Sequence, residues 1–173
     1  MRAALLLIAG AVMVGDVPGH ARVISSAPGS FEIANEAVVA ASPAQVWAAL
    51  GAPARWWDPA HSWSGDATNL SLDLRAGGCF CERWRGGSAE HMRVVHVEPG
   101  RLLRMTGALG PLQAEGVAGA MTVALKPADG GTRVTLRYAV SGYFPGGLDR
   151  VAPAVDRVLG QQLARLKATV ERR

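Results

Sequence analysis

The chain has 173 residues, of which 49% are hydrophobic, 18% charged and 6% aromatic. These proportions lie in the globular range, and the length corresponds to about one domain. The net charge of +4 comes from sixteen Arg and two Lys that are spread singly. Because they form no basic run, we interpret the charge as a solvated surface and expect no nucleic-acid binding.

The first 21 residues have the pattern of a signal peptide. A positively charged start precedes an unbroken apolar run over residues 3–14, and Gly19-His20-Ala21 offers small residues at the two positions that a signal peptidase reads. The run is shorter than the ~20 residues that cross a bilayer as a helix. We predict cleavage after Ala21, with Ala27 as the second choice, and a periplasmic or secreted mature chain without a stable membrane span. An uncleaved membrane anchor is the competing interpretation.

Residues 22–30 lack periodicity and are expected to form a flexible lead-in, with order beginning near Phe31. A β-compatible run from Phe31 to Ala41 is followed by Ser-Pro-Ala-Gln, the residues of a helix start. The Ser caps, the Pro suits the first helical position, and the Gln completes a capping box. We expect a short helix that ends at Gly51 and a second one over residues 54–57.

The rest of the chain predicts an antiparallel sheet and a C-terminal helix. Alternating apolar residues separated by Gly-Gly and Pro-Gly turns indicate about six strands over residues 70–140. The clearest hairpin turns at Asp129-Gly130-Gly131 and has one apolar and one wet face. From Leu148 to Val170, apolar residues recur every three or four positions, as in a long amphipathic helix that lies on a sheet.

Four motifs in this order carry a resemblance to a known family. They are Ser-Pro-Ala-Gln-Val-Trp in the first helix, Trp-Trp in the second, Arg-Ala-Gly-Gly-Cys-Phe before a hairpin, and the C-terminal amphipathic helix. The chain resembles the SRPBCC superfamily (START-like) over residues 31–173, and within it the polyketide cyclase/dehydrase and heat-shock-protein ATPase-activator branches.

The resemblance implies an α+β helix-grip fold. A curved antiparallel sheet would wrap around the long C-terminal helix, with two short helices after the first strand. The resemblance also implies an internal cavity for a lipid, sterol, polyketide or other hydrophobic molecule. It carries over no catalytic residue, because the superfamily shares no catalytic constellation.

Cys79 and Cys81 are expected to be thiols on one face of a strand. Residues i and i+2 of a strand lie about 6.5–7 Å apart, at or beyond the Cα separation of a relaxed disulfide. A metal site that combines them with His61, His91 or His96 is disfavoured, because Cys-x-Cys is not a zinc knuckle. A Cys-His nucleophile is disfavoured too, since nothing in the sequence activates the thiol. We therefore predict no metal and no cofactor.

The hairpin around Gly86-Gly87 supplies the main site candidates. A two-residue turn there sets Glu82 opposite His91, which could orient a ligand or act as an acid-base pair; these two are the catalytic candidates. The face they share would hold Phe80, Glu82, Trp84, His91, Arg93 and Val95.

Two alternatives to this face remain open. The same residues could form a cross-strand ion pair on the solvent side. An odd loop length would instead set Cys81 opposite His91 and Glu82 opposite Glu90, which is disfavoured because it juxtaposes like charges.

Two further segments could line a pocket. Trp57 and His61 lie in a stretch with three tryptophans, although core packing of the Trp and a backbone-bonded loop histidine are the alternatives. Leu109, Leu112 and Gln113 lie in a Gly- and Ala-rich stretch that either dips toward the cavity or forms a mobile surface loop.

These features predict an exported protein that holds a small hydrophobic molecule without transforming it. An enzyme of cyclase, dehydratase or hydrolase type that uses an acid-base pair in the same cavity is the alternative; an interaction module like the heat-shock activators fits poorly with export. The sequence does not predict the oligomeric state. The expected ligand-binding residues are Trp57, His61, Phe80, Glu82, Trp84, His91, Arg93, Leu109 and Leu112.

Overall fold

The structure is a computed structural model that describes residues 22–172. These residues form eight strands and two α-helices: β1 (Arg22–Ala27), β2 (Ser30–Val39), α1 (Pro43–Leu50), β3 (Leu70–Leu72), β4 (Cys79–Trp84), β5 (Gly87–Glu98), β6 (Leu102–Thr106), β7 (Val117–Ala128), β8 (Gly131–Gly142) and α2 (Leu148–Glu171). Short 3-10 helices cover Pro53–Arg55, Pro59–His61, Ala67–Asn69 and Gly110–Ala114.

All strands belong to one antiparallel sheet in the order β1-β2-β8-β7-β6-β5-β4-β3. The sheet curves around α2, so the predicted α+β helix-grip fold is confirmed. The β7-β8 hairpin shows the expected alternation, since Val134, Leu136 and Tyr138 are buried while Arg133 and Arg137 are exposed. Within the described part of the chain, no helix is both long and apolar enough to span a membrane.

The predicted start of α1 is confirmed by its hydrogen bonds. The Gln45 amide donates to Ser42 Oγ (3.4 Å), and the Ser42 amide donates to Gln45 Oε1 (2.9 Å), which completes the capping box. The second predicted helix is only the 3-10 helix Pro53–Arg55. It ends at Arg55, where the Trp56 backbone departs from helical geometry (φ −137°), and Asp58, which precedes Pro59, is extended.

The N-terminal segment differs from the prediction. Residues 22–27, expected within a flexible lead-in, form the edge strand β1 and pair with β2. The strand is mostly exposed and is held by backbone hydrogen bonds, so it needs no apolar alternation that a sequence pattern could reveal. The predicted signal peptide, residues 1–21, lies outside the described residues.

The prediction of free thiols at Cys79 and Cys81 is wrong, because the two residues form a disulfide. Their Cα atoms are 5.3 Å apart, closer than in a regular strand and within the range that a disulfide spans. The β4-β5 ladder changes register at this point, between Phe80 and Cys81, and this irregularity accompanies the shortened spacing. The Glu90 carboxylate lies within 4.8 Å of both sulfurs, but sulfurs in a disulfide are not thiolate metal ligands.

The β4-β5 hairpin also turns one residue earlier than predicted, at Arg85-Gly86. Trp84 pairs with Gly87, and Glu82 pairs with Ala89 rather than with His91 or Glu90, so neither predicted register forms. Gly86 takes the positive φ of the turn (92°), and a Cβ on Gly87 would lie 2.5 Å from the Trp84 ring. The two glycines therefore serve the turn and the indole packing rather than one shared loop.

Candidate functional site

A cavity of about 480 Å³ lies between α2, the loop over residues 57–63 and the segment over residues 109–112. The N-terminal half of α2 forms one wall with small side chains, which include Val151, Ala154, Val155 and Val158. Further along the helix, Leu163 and Leu166 are buried in the core. The change from Val and Ala to Leu along one helix face therefore separates the open part of the interior from the packed part.

Aromatic rings connect the cavity to the core. The Trp57 and Phe80 rings meet edge to face with centroids 5.1 Å apart, and the Phe80 and His91 rings lie 5.0 Å apart. Trp57 and His91 line the cavity, whereas Phe80 lies behind them. This packing defines the relative orientation of the three rings.

The carboxylate of Glu82 lies behind His91 and is fully buried. The backbone amides of Trp63 and Ser64 donate to its two oxygens, at 3.0 and 2.6 Å, and His91 Nε2 lies 3.0 Å from Oε2. Glu82 on β4 therefore holds both the loop that borders the cavity and the imidazole in its wall.

The hydrogen bonds determine the charge states of this pair. Burial raises the pKa of Glu82, but the hydrogen bonds from Ser64, Trp63 and His91 outweigh burial and leave the pKa below its ordinary value. Burial lowers the pKa of His91 by more than the nearby carboxylate raises it. At neutral pH, Glu82 is thus ionised and His91 is neutral.

A neutral imidazole carries its proton on one nitrogen only. The carboxylate beside Nε2 places the proton there, so His91 donates to Glu82. Nδ1 then has a lone pair, and no group of residues 22–172 pairs with it. His91 can accept a hydrogen bond from a ligand or take up a proton.

α2 holds the other end of the same loop. Gln162 Oε1 accepts from the Asp58 amide (2.9 Å), and Arg165 Nε donates to the Trp56 carbonyl (2.9 Å). Within the loop, Trp57 Nε1 donates to the His61 carbonyl (2.9 Å). The loop is therefore fixed to the helix at one end and to the sheet at the other.

Tyr138 holds the segment that carries Leu109. Its hydroxyl donates to the Gly107 carbonyl (3.1 Å) and accepts from the Leu109 amide (3.2 Å). Burial raises the pKa of Tyr138 to about 12, so the donor proton is retained at neutral pH. Gly119 leaves room for this ring, because a Cβ there would lie 2.6 Å from it.

The structure brings together most, but not all, of the predicted site residues. Those that border the cavity are Trp57, His61, His91, Leu109 and Leu112. Phe80 and Glu82 lie behind this wall. Gln113, predicted as a wall residue, is exposed and donates to the Glu90 carbonyl (2.7 Å).

Arg93 and Trp84 are placed incorrectly by the predicted face. The extra residue in β5 is His91, and beyond it Met92 and Val94 are buried while Arg93 and Val95 are exposed. Arg93 Nη1 donates to the Gly77 carbonyl (3.0 Å) outside the cavity. Trp84 packs over Gly87 at the turn and does not line the cavity.

Sequence reasoning missed the α2 wall, Phe144, Tyr138 and Gln162. The apolar stripe of α2 predicts packing on the sheet, and only its small Val and Ala residues indicate open space beside the helix. Gln162 was detectable as a polar residue in that stripe, three positions after Leu159 and four before Leu166. No sequence signal showed that Tyr138 would hold residues 107–109.

Residues 30–171 match the family described as "Polyketide cyclase / dehydrase and lipid transport". The chain belongs to this family. The match supports the SRPBCC superfamily and covers the whole sheet except β1, together with both helices. No functionally curated protein matches the chain.

Solved structures of the same fold resemble this polyketide cyclase/dehydrase family member. A protein of Rhizobium leguminosarum is 22% identical, with a TM-score of 0.61 and coverage of 83% of this chain and 96% of its own. Mll3558 of Rhizobium loti is 24% identical (TM-score 0.60; 81% and 96%). CalU16 of Micromonospora echinospora is 18% identical (TM-score 0.57; 82% and 76%). These similarities support the fold alone.

The state of His91 predicts how stability depends on pH. Its pKa is lower in the folded chain than the ordinary 6.5, so the unfolded chain binds the proton more readily. The free energy of unfolding should be greatest above pH 6.5 and fall as the pH drops below it. In His91→Gln, which keeps a donor for Glu82, this decline should be shallower.

Urea unfolding at stepped pH values measures this dependence. The matched control is His96→Gln, which removes an exposed histidine and should retain the wild-type decline. Equal pH dependence in wild-type and His91→Gln would contradict the assignment.

Proposed function

We propose that the protein binds one small, largely apolar molecule in the cavity between α2 and the loop over residues 57–63, and that it carries or sequesters this molecule without transforming it. The observation that carries the proposal is the cavity of about 480 Å³ with mainly apolar walls. Ligand sites in proteins have volumes of roughly 300–1,000 Å³, apolar walls and a few fixed polar groups.

The chemistry of the wall supports a ligand with few polar groups. Val, Ala, Leu and Trp side chains remove apolar ligand surface from water, which contributes about 25 cal/mol per Å². His91 Nδ1 offers one fixed acceptor, and His61 and Ser62 offer polar atoms in the same wall. A lipid, polyketide or similar hydrophobic compound with a hydroxyl group fits this arrangement, and the proposal needs no cofactor.

Filling the cavity should abolish binding without unfolding the protein. Val155→Trp puts an indole into the space from the α2 wall, and Ala164→Trp, on the exposed side of the same helix, is the matched control. The indole occupies space and wall area that the ligand would otherwise contact, and this loss should weaken ligand affinity about tenfold or more. We expect Val155→Trp to bind N-phenyl-1-naphthylamine at least that much more weakly, while the control binds like wild type.

Native mass spectrometry of protein purified from its own host supplies the second readout. Wild type and Ala164→Trp should retain a small molecule that Val155→Trp lacks. Wild-type protein that is uniformly ligand-free and binds no hydrophobic probe would contradict the proposal.

We further propose that the protein works in the periplasm or outside the cell. The signal-peptide pattern of residues 1–21 and a disulfide at Cys79–Cys81 support export, since disulfides persist in oxidising compartments. Cleavage after Ala21 leaves β1 whole, whereas cleavage after Ala27 would remove it. N-terminal sequencing of the protein from its host should therefore begin at Arg22; a chain that still begins at Met1 in the cytosol would reject export.

A second candidate function, acid-base catalysis, is favoured by the Glu82–His91 contact. A neutral imidazole with a free nitrogen in the cavity and a carboxylate on its other nitrogen is the arrangement of a general base with an orienting group. Glu82 itself is occupied by two backbone amides, so in this candidate it positions His91 and does not transfer the proton.

A substrate screen distinguishes the two candidates. If the protein is a cyclase, dehydratase or hydrolase, His91→Gln should lower kcat by roughly 100-fold or more, with the melting temperature nearly unchanged. The control, His96→Gln, should turn over like wild type. Unchanged turnover in His91→Gln would reject the catalytic role.

A further inference from the structure

The Cys79–Cys81 disulfide closes a ring with one intervening residue, Phe80. A disulfide stabilises a fold mainly by restricting the unfolded chain, and this effect grows with the length of the closed loop. A bridge across one residue therefore contributes little to global stability. Its effect is local, because it holds the two Cα atoms 5.3 Å apart, whereas a regular strand separates such residues by about 6.5–7 Å.

The disulfide lies on the outer face of the sheet, away from the cavity. Cys81 pairs with Glu90 and Cys79 pairs with Arg93, two residues whose side chains are 42% and 50% exposed. Cys79 is half-buried and Cys81 is buried. Cys79 is therefore the cysteine that a thiol arriving from solvent meets first.

The contracted segment of β4 coincides with the bulge that turns His91 toward the cavity. Phe80 pairs with Met92, and an unbroken ladder would next pair Cys81 with His91. Because directly paired residues point to the same face of a sheet, the imidazole would then lie on the outer face beside the cysteines. The register instead shifts at the disulfide, so that Cys81 pairs with Glu90 and His91 is buried in the cavity wall.

The bridged segment also supports the wall directly. Phe80, inside the ring, packs against Trp57 and His91 with centroid distances of 5.1 and 5.0 Å. Glu82, the residue after Cys81, lies 3.0 Å from His91 Nε2. Opening the disulfide lets β4 lengthen toward regular strand spacing, and the supports of the imidazole on both sides of Cys81 move with it.

From these contacts we infer that the Cys79–Cys81 disulfide is exchangeable and that its redox state sets the affinity of the cavity for its ligand. The disulfide form holds the ligand, because His91 and Phe80 are fixed in the wall. The dithiol form releases it. The inference rests on the proposed function, since it describes how binding in the cavity of that proposal is controlled.

The reductant is a dithiol, either small or carried by a protein. Its thiolate attacks Cys79 Sγ, the S–S bond breaks, and Cys81 Sγ leaves as a thiolate that takes up a proton. The second thiol of the reductant loses its proton and attacks the sulfur joined to Cys79, which leaves as a thiolate and is protonated in turn. Two electrons and two protons have then passed to the protein, and the reductant has become a disulfide.

Dithiothreitol, a small dithiol, tests the exchange on the purified protein. Mass spectrometry should show a gain of two hydrogens, while circular dichroism remains that of the folded chain. The dissociation constant of N-phenyl-1-naphthylamine should rise roughly fivefold or more, the effect of losing about one fixed hydrogen bond to the ligand. Reoxidation with oxidised glutathione should restore the original affinity.

Two variants separate the bond from side effects of the reagent. The double variant Cys79→Ser/Cys81→Ser should bind the probe as weakly as reduced wild type, with or without dithiothreitol. Arg83→Ser is the matched control, because Arg83 is an exposed residue at the next outward position of β4. It should bind like wild type and lose affinity on reduction to the same extent.

Nitrogen-15 NMR of the imidazoles follows His91 without any ligand. In the disulfide form, its two ring nitrogens should have the separate shifts of a protonated Nε2 and an unprotonated Nδ1. Reduction should move these two shifts toward each other as the ring loses its fixed tautomer. The shifts of His96, which is exposed, should not change.

A disulfide that stays intact in the folded protein under excess dithiothreitol would overturn the inference. Unchanged affinity of the reduced protein would overturn it too, while leaving ligand binding intact. Weaker binding with unchanged His91 shifts would reject the route through the imidazole. These outcomes need no variant, so they stand even where the double substitution prevents folding. If oxidised wild type does not bind the probe, the proposed function fails and its redox control fails with it.

Discussion

The buried carboxylate of Glu82 is the contact on which the cavity depends. Taking a carboxylate out of water is costly unless hydrogen bonds replace the lost hydration, and here two backbone amides and an imidazole do so. These partners belong to the loop over residues 57–64 and to β5, so the groups that keep Glu82 ionised are the same groups that Glu82 holds in place. Without the charge, the hydrogen bonds that hold the loop edge at Trp63 and the ring of His91 would be weaker.

The helix completes the arrangement from the opposite side. The side chains of Gln162 and Arg165 hydrogen-bond to backbone groups at the start of the loop. The small Val and Ala side chains at 151–158 leave space between the helix and this loop. The loop is therefore fixed to two rigid elements, and the space between them is not filled by large side chains. This arrangement places the acceptor of His91 on a strand, where positions are more precise than on loops.

The parts of this account that were predictable from sequence are those that depend on local pattern. The capping box at Ser42, the β7-β8 alternation and the stripe of α2 each encode one element, and the structure has all three.

The register of β4 against β5 was not predictable, because it depends on the extra residue at His91 and on the packing of Trp84 over Gly87. Glu82 still meets His91, since long side chains reach diagonal neighbours, but Arg93 does not join them. The disulfide was missed because a regular strand was assumed, and β1 because backbone pairing leaves no apolar pattern.

Membership of the polyketide cyclase/dehydrase and lipid-transport family accounts for the fold, and the small residues of α2 leave room for the cavity beside it. A crystal structure of the protein, purified from its own host without denaturation or added ligand, would show directly whether the cavity holds a molecule. A ligand-binding cavity predicts continuous electron density for a non-protein molecule between Val155 and Leu112. An interior filled by side chains, with no space for an organic molecule, would contradict it.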